Sequence, residues 1–199
     1  MKHPRLHLRD RCRALRSFGL AAAVLATTAM AAVLPPGGTI ALHGTTLALL
    51  PGLKATVVQD ANHPITLTTP SGPLLAVYHE RVAKEVATGT LDFYFWLETV
   101  KKPLQADKVE VVLTSYKGFL TGAEYRTDGS GLMGPYQAKR DPTGTAVTFT
   151  FRGVTIGPAP AQWTRSAFVR TNSKIEKLGG IARISVDGLA PAAVKIYQP

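Results

Sequence analysis

The sequence predicts an all-β protein, built as an antiparallel β-sandwich of the immunoglobulin-like or jelly-roll-like kind. The first observation is a series of short runs rich in β-branched and aromatic residues, which favour strands. The second is that turn-forming Gly, Pro, Asp and Ser separate them. The runs cover residues 39–50, 54–58, 64–69, 76–86, 91–98, 108–116, 123–127, 145–153, 166–172, 180–188 and 193–197. Roughly eight to eleven short strands at such spacing are typical of a sandwich or barrel.

The N-terminus precedes these runs and has the pattern of a secretory signal peptide. Its basic residues are Lys2, Arg5, Arg9, Arg11, Arg13 and Arg16. An uncharged run follows over 18–34, with small residues at Ala29 and Ala31 suited to a signal peptidase. The alternative is an uncleaved membrane anchor, but a span of this length is marginal for a bilayer core of about 30 Å. We therefore expect a helical signal peptide over 1–32, cleaved after Ala32, and a single domain over 33–199.

Charge and cysteine usage narrow the class of the mature protein. The predicted leader contains six of the 23 Lys and Arg and one of the 13 Asp and Glu, so its removal lowers the formal charge from +10 to +5. The only basic doublets beyond it are Lys101-Lys102 and Lys139-Arg140, which is too little for a nucleic-acid-binding stripe. The single cysteine, Cys12, lies in the leader. We expect a mature chain without disulfides, without a membrane anchor and without a nucleic-acid partner.

The run over 76–86 is ambiguous between strand and helix. Leu75, Tyr78, Val82 and Val86 recur at helical spacing, and the intervening Glu, Arg, Ala and Lys are good helix formers. A loop of only four residues separates this run from the next one, however, and hairpins use such loops. We predict a strand.

The aromatic run over 91–98 divides into two faces if it is a strand, because side chains alternate. Leu91, Phe93, Phe95 and Leu97 share one face, and Asp92, Tyr94, Trp96 and Glu98 share the other. The first face must belong to the core. The second has two interpretations. Either the strand is central and the segment 39–69 or a loop covers Tyr94 and Trp96, or these rings form an exposed platform that stacks on a sugar or a flat ligand.

Candidate catalytic and metal-binding residues are sparse. His43, His63 and His79 lack the spacing of a metal site, so no metal or cofactor is expected. The Gly-rich stretch 128–131 is interpreted as a turn rather than a calcium loop. No Gly-x-Ser-x-Gly nucleophile motif occurs. The remaining enzymatic hypothesis is a hydrolase with paired carboxylates, drawn from Asp92, Glu98, Glu110 and Asp128.

From residue 77 onward the sequence resembles a known family. The motifs are VYHE, TGTLDFYFWLE, VEVVLTSYKGF, YRTD, VTFTF, FVRTN and ISVDGLAP. Together they resemble the extracellular domain of PEP-CTERM proteins, which bacteria sort by exosortase. The resemblance implies a secreted, non-catalytic β-sandwich and carries over no active-site residue. Residues 33–73 lie outside the resemblance and are expected to be a variable N-terminal part.

The sequence departs from that family at two places. It ends at Pro199 without the Pro-Glu-Pro motif, apolar helix and basic residues of the sorting tail, so exosortase sorting is not expected. Its passage IGPAPAQWTRSA also differs from the family's usual linker.

The expected function is that of a structural or interaction module of the bacterial envelope or matrix. It would be periplasmic or extracellular, with a protein or polysaccharide surface as its partner. The alternative is a carbohydrate- or small-ligand-binding module that uses Tyr94 and Trp96, with Tyr125 and Trp163.

Overall fold

The structure, a computed structural model, describes residues 31–158 and 162–199 and arranges them as two antiparallel six-stranded sheets. In spatial order, sheet A contains β1 (Ala32–Val33), β7 (Thr121–Tyr125), β10 (Ala167–Thr171), β5 (Leu91–Thr99), β4 (Gly72–Glu85) and β3 (Ala55–Thr69). Sheet B contains β12 (Ala192–Gln198), β11 (Lys177–Val186), β6 (Leu104–Thr114), β9 (Ala146–Ile156), β8 (Gln137–Arg140) and β2 (Thr39–Ala41). The predicted all-β sandwich is confirmed. Cys12 and most of the predicted signal peptide lie outside the described residues.

The ambiguous run over 76–86 is a strand, as predicted. It belongs to β4, which pairs with β3 on one side and β5 on the other. Tyr78 and Val82 are buried, but Leu75 is 54% and Val86 is 63% exposed. The helical spacing of these four residues is thus coincidental, because pairing on both edges outweighs the local helix propensity.

The N-terminal part differs from the prediction. The run over 39–50 forms only the three-residue strand β2 and an irregular segment, followed by a 3₁₀ turn at Pro51–Leu53. Conversely, the two runs over 54–58 and 64–69 join into the single long strand β3, with an irregular register between Val57 and Gln59. Pro64 is tolerated inside β3 because β3 is an edge strand, whose outward N–H position needs no ladder partner.

The main core lies between the sheets and contains the predicted face of the aromatic run. Leu91, Phe93, Phe95 and Leu97 are all buried there. Phe95 stacks on Tyr78 with ring centroids 5.8 Å apart, and its edge meets Phe149 of sheet B at 5.1 Å. These rings join strands from both sheets, so burial of apolar surface holds the two layers together.

A second, smaller cluster covers the outer side of sheet A. It contains Ala31, Leu50, Leu53, Ala83, Tyr94 and Phe168, with Ala55 packed against it. Leu50 and Leu53 come from the segment around the 3₁₀ turn, which lies across the sheet. Sheet A is therefore covered on both faces at this place, whereas the outer face of sheet B has no such cluster among the described residues.

One end of the sandwich is organised by the buried side chain of Arg140. Its guanidinium donates to the carbonyl oxygens of Tyr116, Phe119, Gly144 and Leu34 and to the hydroxyl of Thr121, at 2.7 to 3.3 Å. Burial lowers the pKa of this guanidinium from its usual range. These hydrogen bonds tie three chain segments to β8, namely Leu34, the stretch 116–121 and Gly144.

No helix within the part of the chain that the structure describes is long and apolar enough to cross a membrane.

Candidate functional site

Tyr94 lies on the outer face of sheet A but is not exposed. The segment around the 3₁₀ turn covers it with Leu50 and Leu53, and its ring lies 5.0 Å from that of Phe168. Burial raises the pKa of its hydroxyl above the usual range. The platform interpretation is wrong for Tyr94, because the N-terminal segment packs where a ligand would stack.

Trp96 lies further along the same face and is half-buried. The ring of His79 is parallel to it within 4°, with centroids 4.8 Å apart, and the guanidinium of Arg81 lies 5.4 Å from the indole. His79 is itself held in place by Asn62 and Glu98, at 2.6 and 2.9 Å. Trp96 thus already has stacking partners from the neighbouring strand, which limits the ring surface left for a sugar.

The other two predicted site residues lie elsewhere. Tyr125 points from β7 toward the main core, on the opposite face of sheet A from Tyr94. Its ring packs closely against Gly134, where an added Cβ would lie 2.5 Å away. Trp163 lies in the segment before β10, and its carbonyl accepts a hydrogen bond from Leu132. Tyr125 therefore cannot share a binding surface with Tyr94 and Trp96, because the two faces of sheet A separate them, whereas a binding role for Trp163 stays a prediction.

The four carboxylates proposed for a hydrolase do not converge either. Asp92 and Glu98 are six residues apart on one strand, about 20 Å at 3.3 Å per residue, and glycosidase pairs need about 5–9.5 Å. Glu110 lies on sheet B, 3.4 Å from Lys108. Asp128 is bound by Arg126, which holds the pKa of that carboxyl at about 2. Asp92 is therefore too far from Glu98 to form such a pair, and Glu110 lies on the other sheet.

Sequence reasoning missed a buried charge cluster on sheet A, formed by Glu85, Asp92 and Arg170. Arg170 donates from Nε to Glu85 at 2.7 Å and a second time from Nη2, and it lies 3.6 Å from Asp92. Asp92 has no exposed surface, and its pKa is raised to about 8, first by burial and then by the charge of Glu85. With Asp92 protonated the cluster is neutral, because Glu85 balances Arg170.

Glu80, on β4, is a second buried carboxyl, and it connects the two sheets where edge strand β3 lies near edge strand β12. It accepts the backbone N–H of Tyr197 at 2.6 Å and lies 3.3 Å from His63. Burial raises the pKa of Glu80 to about 7 and lowers that of His63. The backbone N–H of Tyr197 lies on edge strand β12, which has no further strand beside it to accept this hydrogen bond. Glu80 accepts it instead, so the role of Glu80 is structural.

The outer side of sheet A also contains a shallow groove of about 260 Å³. Its lining consists of Leu53, Ala55, Val57, Arg81, Ala83, Tyr94, Arg126, Gly129 and Ser166. Asp60 binds Arg81 at 2.6 Å, and Asp128 binds Arg126 at 2.6 Å. The groove combines apolar side chains with two guanidinium groups, and its volume falls just below the usual range for small-molecule sites, about 300–1,000 Å³.

The outer face of sheet B differs in character. The strand registers place on it the cations Lys108, Lys139, Arg152, Arg183 and Lys195, the acid Glu110, and the hydroxyls of Thr39, Thr114, Thr148, Thr150 and Ser185. Among the described residues, only Lys108 of these five cations forms an ion pair. The sequence signal for this face was the alternation in 108–114 and 146–152, which separates apolar from polar positions.

Within residues 31–158 and 162–199, no three His, Cys, Asp or Glu side chains come together as ligands for a metal ion. No family model, no curated protein and no solved structure matches this chain.

Proposed function

We propose that this protein is an exported, non-catalytic interaction module of the bacterial envelope or extracellular matrix. Its binding surface is the outer face of sheet B, and its partner is an extended macromolecular surface rather than a small molecule. The resemblance to PEP-CTERM extracellular domains and the leader-like residues 1–32 support export. The wide separation of the candidate carboxylates supports a role without catalysis.

The observation that carries this proposal is the contrast between the two outer faces. On sheet A, a chain segment packs on the face, and Arg81, Arg126 and Arg170 each have a carboxylate partner. On sheet B the side chains are mostly polar, and most of its cations have no such partner among the described residues. A broad face of this kind suits contact with a large partner, since charge complementarity guides association and register.

The test is to produce the full chain with its leader in a Gram-negative host and to fractionate the cells. We expect a shortened form outside the cytoplasm, and we expect purified protein to cosediment with isolated envelopes or matrix. Substitution of Lys139→Glu with Arg183→Glu should release it. Recovery of the full-length chain in the cytoplasm would contradict export, and equal sedimentation of wild type and variant would contradict the binding surface.

The groove on sheet A favours a second function, the binding of a small ligand with an anionic group. A ligand carboxylate beside Ala55 and Ala83 would share Arg81 with Asp60 and Arg126 with Asp128. Glucuronate is a suitable probe, with glucose as its uncharged control. We expect glucuronate to change the fluorescence of nearby Trp96, and Ser166→Trp to block the groove. Identical titrations with both sugars would count against this function.

A further inference from the structure

We infer that the outer face of sheet B binds an acidic polysaccharide, a chain of sugars that carry carboxylate groups. This inference rests on the proposed function and names the chemistry of its partner.

Charge is distributed unevenly over the molecule. The described residues contain 17 Lys and Arg and 12 Asp and Glu, a net charge of +5. The outer face of sheet B holds five of the cations and one of the acids, so it accounts for +4 of that excess. The rest of the described chain is close to neutral, with 12 cations and 11 acids. A positive potential localised on one face attracts anionic polymers.

The acids nearest to this face lie at its rim. Asp141 accepts the backbone N–H of Ala146, and Asp187 accepts that of Lys108. Asp107 is exposed at the end of the face near Lys108. At the other end, Lys139, Arg183 and Lys195 are all exposed and outnumber Asp141, so the strongest excess of positive charge lies there.

The register places two of these cations, Arg183 and Lys139, in one row across the sheet. One row crosses the sheet through Ala193, Arg183, Val112, Thr148, Lys139 and Thr39. Arg183 and Lys139 are three strands apart in this row, about 14 Å at 4.8 Å per strand. A polymer with repeated charges spans such a distance, whereas one small anion reaches only one of the two cations.

The side chains between the cations favour sugars over lipid or nucleic acid. Thr148 and Thr39 lie in the row and present hydroxyl groups, which match the hydroxyls of a saccharide. The only apolar side chain of the row larger than alanine is Val112, which is half-buried, so the row offers little apolar surface to anchor in a bilayer. The guanidinium of Arg152 covers the ring of Tyr136 at 4.2 Å, and Tyr197 on β12 is partly buried against the core. The described residues of this face therefore offer no row of bare rings for base stacking.

The experiment measures binding of the purified protein to alginate, with dextran as a neutral polysaccharide. The test variant is Lys139→Glu with Arg183→Glu. The matched control is Lys101→Glu with Lys102→Glu, which changes the charge equally at two exposed residues of the β5–β6 loop. We expect alginate binding that weakens with salt, no dextran binding, and a loss of roughly tenfold or more in the test variant alone. Each of the two lost ion contacts contributes up to about fivefold, and the introduced carboxylates repel the polymer. Circular dichroism verifies that both variants are folded.

Several outcomes overturn the inference. Equal loss in both variants would show an effect of net charge alone. Equal or tighter binding to phosphatidylglycerol vesicles or to duplex DNA would assign the face to another class of partner. If alginate does not bind but sedimentation with envelopes still depends on Lys139 and Arg183, the acidic polysaccharide is wrong while the proposed function stands. If neither is observed, both fail.

Discussion

At the scale of single residues, the unusual groups are two carboxyl groups that are buried away from solvent. Asp92 and Glu80 are each buried, and burial raises the pKa of each above its usual value, to about 8 and about 7. Such a group takes up a proton on folding when the pH lies between its unfolded and folded pKa values. The contribution of these two carboxyl groups to the free energy of unfolding is therefore fully present below about pH 4, and it is lost as the pH rises to about 7 or 8.

We predict that Asp92→Asn removes part of this pH dependence. The amide resembles the protonated carboxyl in shape and carries no charge to bury. Between pH 5 and 7 the free energy of unfolding of the wild type should fall more steeply than that of the variant, by up to about 1.4 kcal/mol per pH unit. Urea unfolding at several pH values measures both slopes. Parallel profiles would show that Asp92 is already charged in the folded protein.

At the scale of elements, the segment around the 3₁₀ turn decides what the aromatic strand does. Leu50 and Leu53 are buried against Tyr94, while Leu49 in the same segment is 61% exposed. The alternation of side chains places Tyr94 and Trp96 on the second face of their strand, but it does not decide whether that face is covered or open. Contacts between residues about 40 positions apart settle this, and local patterns do not contain them.

We predict that Leu53→Ala lowers the free energy of unfolding by about 2–3 kcal/mol, because it leaves a cavity over Tyr94. The control Leu49→Ala should change it by less than about 0.5 kcal/mol, since an exposed side chain loses little on truncation. Denaturant unfolding of the two variants makes the comparison. Equal effects would mean that the segment does not pack on sheet A in solution.

At the scale of the whole molecule, the first described residues form part of the sandwich. Ala31 and Leu34 are buried, and Ala32 pairs with Ala123 of β7. The carbonyl of Leu34 accepts hydrogen bonds from Thr121 and Arg140. Cleavage of a leader after Ala32, as the sequence suggests, would thus remove one buried residue of the smaller cluster.

We predict that a chain beginning at residue 35 is less stable than one beginning at residue 31 by about 3 kcal/mol. The shorter chain loses the buried Leu34 side chain and leaves Arg140 with one fewer acceptor. Thermal and urea unfolding compare the two. A loss below about 1 kcal/mol would show that β1 contributes little, and N-terminal sequencing of the exported form would then identify the natural start.

Much of the architecture was readable from the sequence, because alternation of apolar and polar side chains is a local property of strands. That pattern was enough for the all-β class, for the inward direction of Leu91, Phe93, Phe95 and Leu97, and for the strand over 76–86. What only the tertiary structure decided is which surfaces stay open. The N-terminal segment packs on Tyr94. Asp92 is contacted by Glu85 and Arg170, which lie on neighbouring strands. The strand register places five cations on the outer face of sheet B. Each depends on contacts between distant parts of the chain, and local periodicity does not encode them.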